Sequence, residues 1–205
     1  MRLSSHPPRR TSGSRVGGRS ADVVDRVLEA AVEELGRVGF EAMRVDDIAA
    51  RSGVNKTTIY RRWPGKAELL AAVLEQKSLS LVVPNTGSLH DDLRQTLRDL
   101  RTRLAGARER GVVRMLQAES AHPDVAPVIR KMRAVHSAAR REMFDRAVER
   151  GELPRATNTA LLVEFATAPL ISRILHLGVE VDDQFIDTLV DVLIAGAANA
   201  TTAGQ

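Results

Sequence analysis

Residues 45–63 run Val45-Asp-Asp-Ile-Ala-Ala-Arg-Ser-Gly-Val-Asn-Lys-Thr-Thr-Ile-Tyr-Arg-Arg-Trp63, which reads as two short helices, Val45 to Ser52 and Lys56 to Trp63, around a turn at Gly53. Two helices cross steeply through so short a turn only if the contact residue on the first is small and the turn residue tolerates a left-handed backbone. Ala49 and Gly53 meet those two conditions. Ile48, Val54 and Ile59 are spaced to lock the pair into one small core, and Asn55 stands where an N-cap is needed. Lys56, Thr57, Thr58, Tyr60, Arg61 and Arg62 then fall on or near the outer face of the second helix. A helix-turn-helix of this kind presents its second helix to the DNA major groove.

The side chains on that face suit DNA. Arg61 or Arg62 can donate bidentately to guanine O6 and N7, Thr57 or Thr58 can meet a thymine methyl or a phosphate, and Tyr60 can reach a phosphate through its hydroxyl. Lys66, at the start of the next helix, is expected to clasp a phosphate together with free backbone N–H groups. A solvated surface helix is the competing reading, but it does not explain the absence of acids between Ser52 and Gly65.

Working outward, helical periodicity dominates from Ala21 and strand-like alternation is absent, so the chain is expected to be all-α. Val24, Leu28, Ala31, Leu35 and Val38 mark a first helix, with Ser20 and Asp22 as possible caps and Gly39 as its stop. Leu69, Leu70, Val73, Leu74 and Leu81 give the helix after Pro64-Gly65 an apolar face. The turn cluster Pro84-Asn85-Thr86-Gly87 suggests a boundary. Three regions are expected: a disordered basic arm over 1–20, a helix-turn-helix unit with its connecting helix over 21–83, and a helical body over 84–205. In the body, Leu89 to Leu104 forms one stripe, and Gly106 and Gly111 are taken to flank a break. A long helix places Val128, Met132, Val135 and Ala139 inward.

The formal charge of +4 is unevenly spread. Five arginines and no acid give the arm +5, residues 21–83 carry nine bases and ten acids, and residues 84–205 carry sixteen of each. Within the middle unit, Met43 to Lys66 holds six bases against two acids, directly after an acidic stretch. Zero cysteine excludes disulfides, thiolate metal sites and thiol catalysis, and favours a reducing, cytoplasmic setting. No catalytic motif or metal-ligand spacing occurs, so no cofactor, metal or enzyme activity is expected. No membrane span is expected either, because Phe165 to Ser172 is bounded by Glu164 and Arg173.

Gly39-Phe40, Val45, Ile48-Ala49, Gly53-Val54, Thr58-Ile59-Tyr60, Trp63, Lys66 and Leu69-Leu70, as an ordered set, resemble the TetR (tetracycline-repressor-like) transcriptional regulators. The resemblance implies a three-helix DNA-binding head, a fourth connecting helix, and a helical effector-binding body that dimerises through its last two helices. Family contacts to double-stranded operator DNA then fall on Lys56, Thr57, Thr58, Tyr60, Arg61, Arg62 and Lys66, beside the cap Asn55. Arg44 replaces the usual Ser or Thr before the second helix; it cannot accept a capping hydrogen bond but can reach a phosphate. Trp63 replaces the usual Phe and is read as core.

The family's body holds a small-molecule pocket. Here Met115, Gln117, Met132, His136, Phe165 and Arg173 are the candidate lining, which implies a largely apolar effector with sparse polar anchors. The last two helices are apolar on more than one face and must bury each. Leu162, Pro169, Ile186, Leu189, Val190, Leu193 and Ile194 are the candidate homodimer surface, with a purely internal core as the competing reading. Family habit favours repression over activation. The alternative from a different class is a helical small-molecule-binding or interaction module whose basic head docks an acidic partner.

Overall fold

The computed structural model describes residues 16–79 and 82–200. Nine α-helices and no strand occur among them: α1 (Val16–Ala42), α2 (Val45–Ser52), α3 (Lys56–Arg62), α4 (Lys66–Leu79), α5 (Leu89–Leu104), α6 (Ala107–Ala118), α7 (Ala126–Glu149), α8 (Thr159–Ile171) and α9 (Asp183–Ala200). A π turn, Ser172–His176, prolongs α8.

The first helix departs from expectation at both ends. It starts at Val16 and not at the Ser20 or Asp22 caps, so the last five residues of the expected arm are helical. No proline intervenes between Pro8 and Ser20 to stop the backbone ladder from extending upstream. Residues 1–15 of that arm, and Leu81 of the expected α4 face, lie outside the described residues. At Gly39 the helix kinks instead of ending. Its φ of 78° and ψ of 179° break the ladder, and Phe40–Ala42 resume helical geometry beyond it.

Two apolar cores divide the chain. The first joins Val27, Ala31 and Leu35 of α1 to Ile48 of α2, Ile59 of α3 and Leu70 of α4. It also takes in Val112, Met115 and Leu116 of α6, and Val125 and Ile129 around the start of α7. The second core holds Leu93 and Leu97 of α5, Met143 and Phe144 of α7, Leu162 and Leu170 of α8, and Ile186 and Val190 of α9. Helix α6 therefore packs with the head although it follows the 84–87 turn in sequence. Helix α7 spans both cores, and that explains why its middle is the exception to the expected inward stripe: Val135 is exposed, because neither core reaches it.

Gly111 does not mark a break. It lies inside α6, where the helix crosses α1 at Gly36. The turn before α5 is tied to the body: the fully buried Asp92 accepts from the Thr86 N–H at 2.7 Å and from its hydroxyl at 2.8 Å, and Arg146 donates to the Pro84 carbonyl at 2.8 Å. Ion pairs join α5 to α9, with Arg94 to Asp187 at 2.6 Å, Arg98 to Asp183 at 2.6 Å and Arg101 to Asp183 at 2.8 Å.

Thr159–His176 is long and apolar enough to cross a membrane by length and composition. Its Leu162, Val163, Ala166 and Leu170 face the second core, as expected of an internal helix of a folded body. The inward faces also correct part of the expected dimer surface. Leu162, Ile186 and Val190 are buried within their own chain, while Pro169, Leu189, Leu193 and Ile194 are half-buried. A helix apolar on two faces does not reveal which face is internal. The faces left outward carry Leu161 and Phe165 on α8 and Val192 on α9.

Candidate nucleic-acid interface

The α2–turn–α3 unit forms as its residues require. Gly53 adopts φ 66°, ψ 23°, the left-handed conformation that ends α2 within one residue. Asn55 then caps α3, its side-chain oxygen accepting from the Thr57 N–H at 2.8 Å. Replacing such a cap by alanine costs about 0.5–2 kcal/mol. Ile59 is buried against α1 and α2, which fixes the rotation of α3. Arg44 precedes α2 without a capping hydrogen bond.

That rotation leaves Asn55, Lys56, Thr57, Tyr60, Arg61 and Arg62 exposed and Thr58 half-buried. Arg44 is exposed on the same side of the head through its contact with Asp46 at 3.8 Å. Arg62 lies 5.7 Å over the ring of Trp63, which is buried as expected at the end of α3. Thr58, Arg61 and Arg62 also line a cavity of about 390 Å³ shared with Ser20, Val23 and Val27 of α1.

Two features were not legible in the sequence. Asp46, in the first turn of α2, holds the Lys56 ammonium at 2.5 Å and lies beside Arg44, so the basic face carries one carboxylate. The hydrogen bond from Lys56 holds the Asp46 carboxyl below its usual range, and the same bond raises Lys56 above the usual lysine value. Both side chains are solvent-exposed, so the pair orients Lys56 and adds little to stability. The only trace of it in the sequence is an acid inside a basic run.

Lys66 corrects the expected phosphate clasp. Its ammonium donates to the Phe40 carbonyl at 3.2 Å and the Glu41 carbonyl at 2.8 Å, and lies 5.2 Å over the Phe40 ring. Those carbonyls lie in the last turn of α1, which ends at Ala42, so Lys66 satisfies the end of α1 and ties it to α4. Elsewhere the head is held by Arg26, which donates to the Ser52 carbonyl at 3.2 Å, and by Arg51, which pairs with Glu33 at 3.2 Å and with the buried Glu34 at 3.6 Å. Glu34 also takes Arg37 at 2.7 Å.

The candidate effector residues do not line one cavity. Met115 is buried in the first core, Gln117 is exposed on α6, and Phe165 points outward from α8 at 55% exposure. Arg173 stacks 4.5 Å from the Phe185 ring and donates to the Glu180 carbonyl at 3.4 Å. Met132 packs against the first core, and His136 follows it one turn later on α7, both half-buried.

Two family models match the chain: "Bacterial regulatory proteins, tetR family" over residues 27–73 and "Tetracyclin repressor-like, C-terminal domain" over residues 83–193. The chain is 34% identical over 180 residues to the DNA-binding transcriptional repressor TetR of Mycobacteroides abscessus, covering 80% of this chain and 88% of that protein. It is 26% identical over 186 residues to the HTH-type transcriptional regulator AqdR of Rhodococcus erythropolis, covering 90% of each. A solved TetR family transcription regulator matches with a TM-score of 0.67 at 29% identity, over 85% of this chain and 98% of that one.

Proposed function

The chain belongs to the TetR family of DNA-binding transcriptional regulators, and from that premise we propose that it is a homodimeric repressor released from its operator by a small molecule. The head, residues 21–83, supplies the recognition helix α3. The body, residues 84–205, supplies the effector site and the dimer contact. The observation that carries the reading is the rigid presentation of α3: capped by Asn55, keyed through buried Ile59, and showing Lys56, Thr57, Tyr60, Arg61 and Arg62 to solvent on one side.

A dimer places two such helices in successive major grooves about 34–36 Å apart, so a small change in their separation weakens both half-sites together. The body can impose that change through α6 as well as α4, since α6 shares the core of α1. The apolar strip of Leu161, Phe165 and Val192 supports pairing through α8 and α9. A cytoplasmic location fits a chain that meets DNA and has no cysteine.

The test is a mobility-shift titration of the full chain against the duplex flanking its own gene. Expected is a shift whose affinity falls steeply with salt and exceeds that for an unrelated duplex by at least a thousandfold. Equal affinity for both duplexes, or insensitivity to salt, overturns the operator reading.

A further inference from the structure

Arg140 stands one turn after His136 on the same face of α7, half-buried, and its Nε is shut off from solvent without a hydrogen-bond partner. No ion pair to it exists among the described residues, although the guanidinium carries a full positive charge at neutral pH. Its charged neighbour is another cation: Arg103, in the last turn of α5, for which no ion pair occurs among the described residues either. The contrast with the rest of α5 is sharp, since Arg94, Arg98 and Arg101 are all matched to acids of α9.

The charges along this stretch of α7 are positive. Val125 to Arg141 contains Arg130, Lys131, Arg133, Arg140 and Arg141 and no acid. Arg140 is pushed below the usual arginine value by burial and then by Arg103, with no carboxylate opposing. His136 is lowered by burial, then by Arg140 and Arg103. Lys77 of α4 is lowered by burial and also feels Arg103, though Glu109 compensates it from 4.0 Å. A half-buried, unpaired guanidinium is costly, and a fork of N–H donors is shaped for a carboxylate or phosphate.

We propose that Arg140, with Arg103 and His136 beside it, anchors an organic anion, a carboxylate or a phosphate monoester, and that this group is the charged end of the effector. The proposal rests on the effector-controlled reading above and gives that effector a chemical class. The anion neutralises the cluster where α5 and α7 meet and lies within the electrostatic reach of Lys77 on α4, the helix that joins the head. Its arrival therefore changes the charge at the base of the connecting helix.

The experiment melts the full chain at fixed ionic strength with octanoate, octyl phosphate or uncharged 1-octanol. At least one anion is expected to raise Tm where octanol does not, and Arg140→Gln to weaken its binding at least tenfold, about 1.4 kcal/mol. Arg103→Gln, on an exposed side chain, is expected to fold and to weaken binding in the same direction. Arg140→Lys should recover part of the affinity, because the charge remains while the fork is lost. Arg140→Met, ligand-free, should melt no lower than the wild type. Octanol acting as well as either anion, or both glutamine variants binding like the wild type, overturns the proposal. So does dissociation of the dimer by Arg140→Gln, since a second copy then supplies the missing acid. Mobility shifts on the same samples separate the two readings. Specific DNA binding without any anion effect on Tm retires the anion site and leaves the regulator. An anion-dependent Tm rise that leaves DNA affinity unchanged keeps the site but retires its role as effector.

Discussion

A Cβ placed on Gly111 of α6 would stand 2.2 Å from the carbonyl oxygen of Gly36 in α1, so these two helices meet backbone to backbone. No side chain cushions the crossing, and a Cβ on Gly36 would likewise come within 2.8 Å of the Arg108 carbonyl. A displacement of α6 is therefore delivered to α1, and through the shared core to α2 and α3.

Gly111→Ala forces α1 and α6 apart, because the atom it meets is backbone and cannot rotate away. Expected is a loss of roughly 1–3 kcal/mol in urea unfolding, the range of an overpacked core, together with weakened operator binding. Unchanged stability would mean that α6 is not seated as described. Gly87→Ala, whose added Cβ touches nothing, tests a different cost, that of its positive φ.

Tyr60→Phe and Arg61→Ala should each weaken operator binding by about 1–3 kcal/mol without lowering Tm, since both side chains are exposed. Ile59→Ala provides the contrast. It should cost about 2–5 kcal/mol of stability, because that side chain is the buried key of α3. Mobility shifts and thermal melts on the same preparations distinguish the two outcomes.

Asp46→Asn frees Lys56 and removes the carboxylate paired with it on the recognition face. Affinity for non-specific duplex should rise, and the slope of log K against log salt should steepen by about 0.9, one further phosphate neutralised. Lowering the pH reproduces the effect. The Asp46 pKa in the folded state lies below its usual value, so the pair is intact above the ordinary carboxylate range and is lost only as pH falls through that depressed value. A slope unchanged by the substitution would show that Lys56 does not meet phosphate.

Phe165→Glu or Val192→Glu, on exposed apolar positions of α8 and α9, should yield folded monomers in light scattering with operator affinity lowered. Ile186→Glu should unfold the body instead, because that side chain is fully buried. A wild type that is already monomeric would remove the two-site model.

Burial, then Arg140 and Arg103, holds His136 below its ordinary value in the folded state, so the unfolded chain binds the extra proton first. The stability due to neutral His136 is present above the unfolded pKa, about 6.5. It is lost as pH falls through that value towards the depressed one. Thermal melts from pH 7.5 to 5.5 should fall less steeply for His136→Gln than for the wild type. Parallel curves would place His136 in a more solvated setting.

Local rules made the head readable. Gly53 must be left-handed, Asn55 must cap, and Ile59 must face inward whatever the rest of the chain does, so sequence spacing predicts them directly. The misread positions depend on which distant surface arrives. Gly111 resembles a helix breaker until Gly36 lies against it, and Lys66 resembles a phosphate ligand until the end of α1 leaves two carbonyls within its reach. Ile186 and Val190 are indistinguishable from outward apolar residues without α5 and α7 in place. Arg140 does not stand out in the sequence, because an arginine on a helix is ordinarily solvated, and only its burial makes it informative.

The single tryptophan of the chain has an optical consequence. Trp63 is buried at the joint between α3 and α4, donates its backbone N–H to the Ile59 carbonyl at 2.8 Å, and lies under the Arg62 guanidinium. All indole emission therefore originates at the foot of the recognition helix. When Arg62 leaves the ring for a phosphate, the positive charge over the indole departs, its emission shifts, and the protein reports its own engagement with DNA without any attached dye.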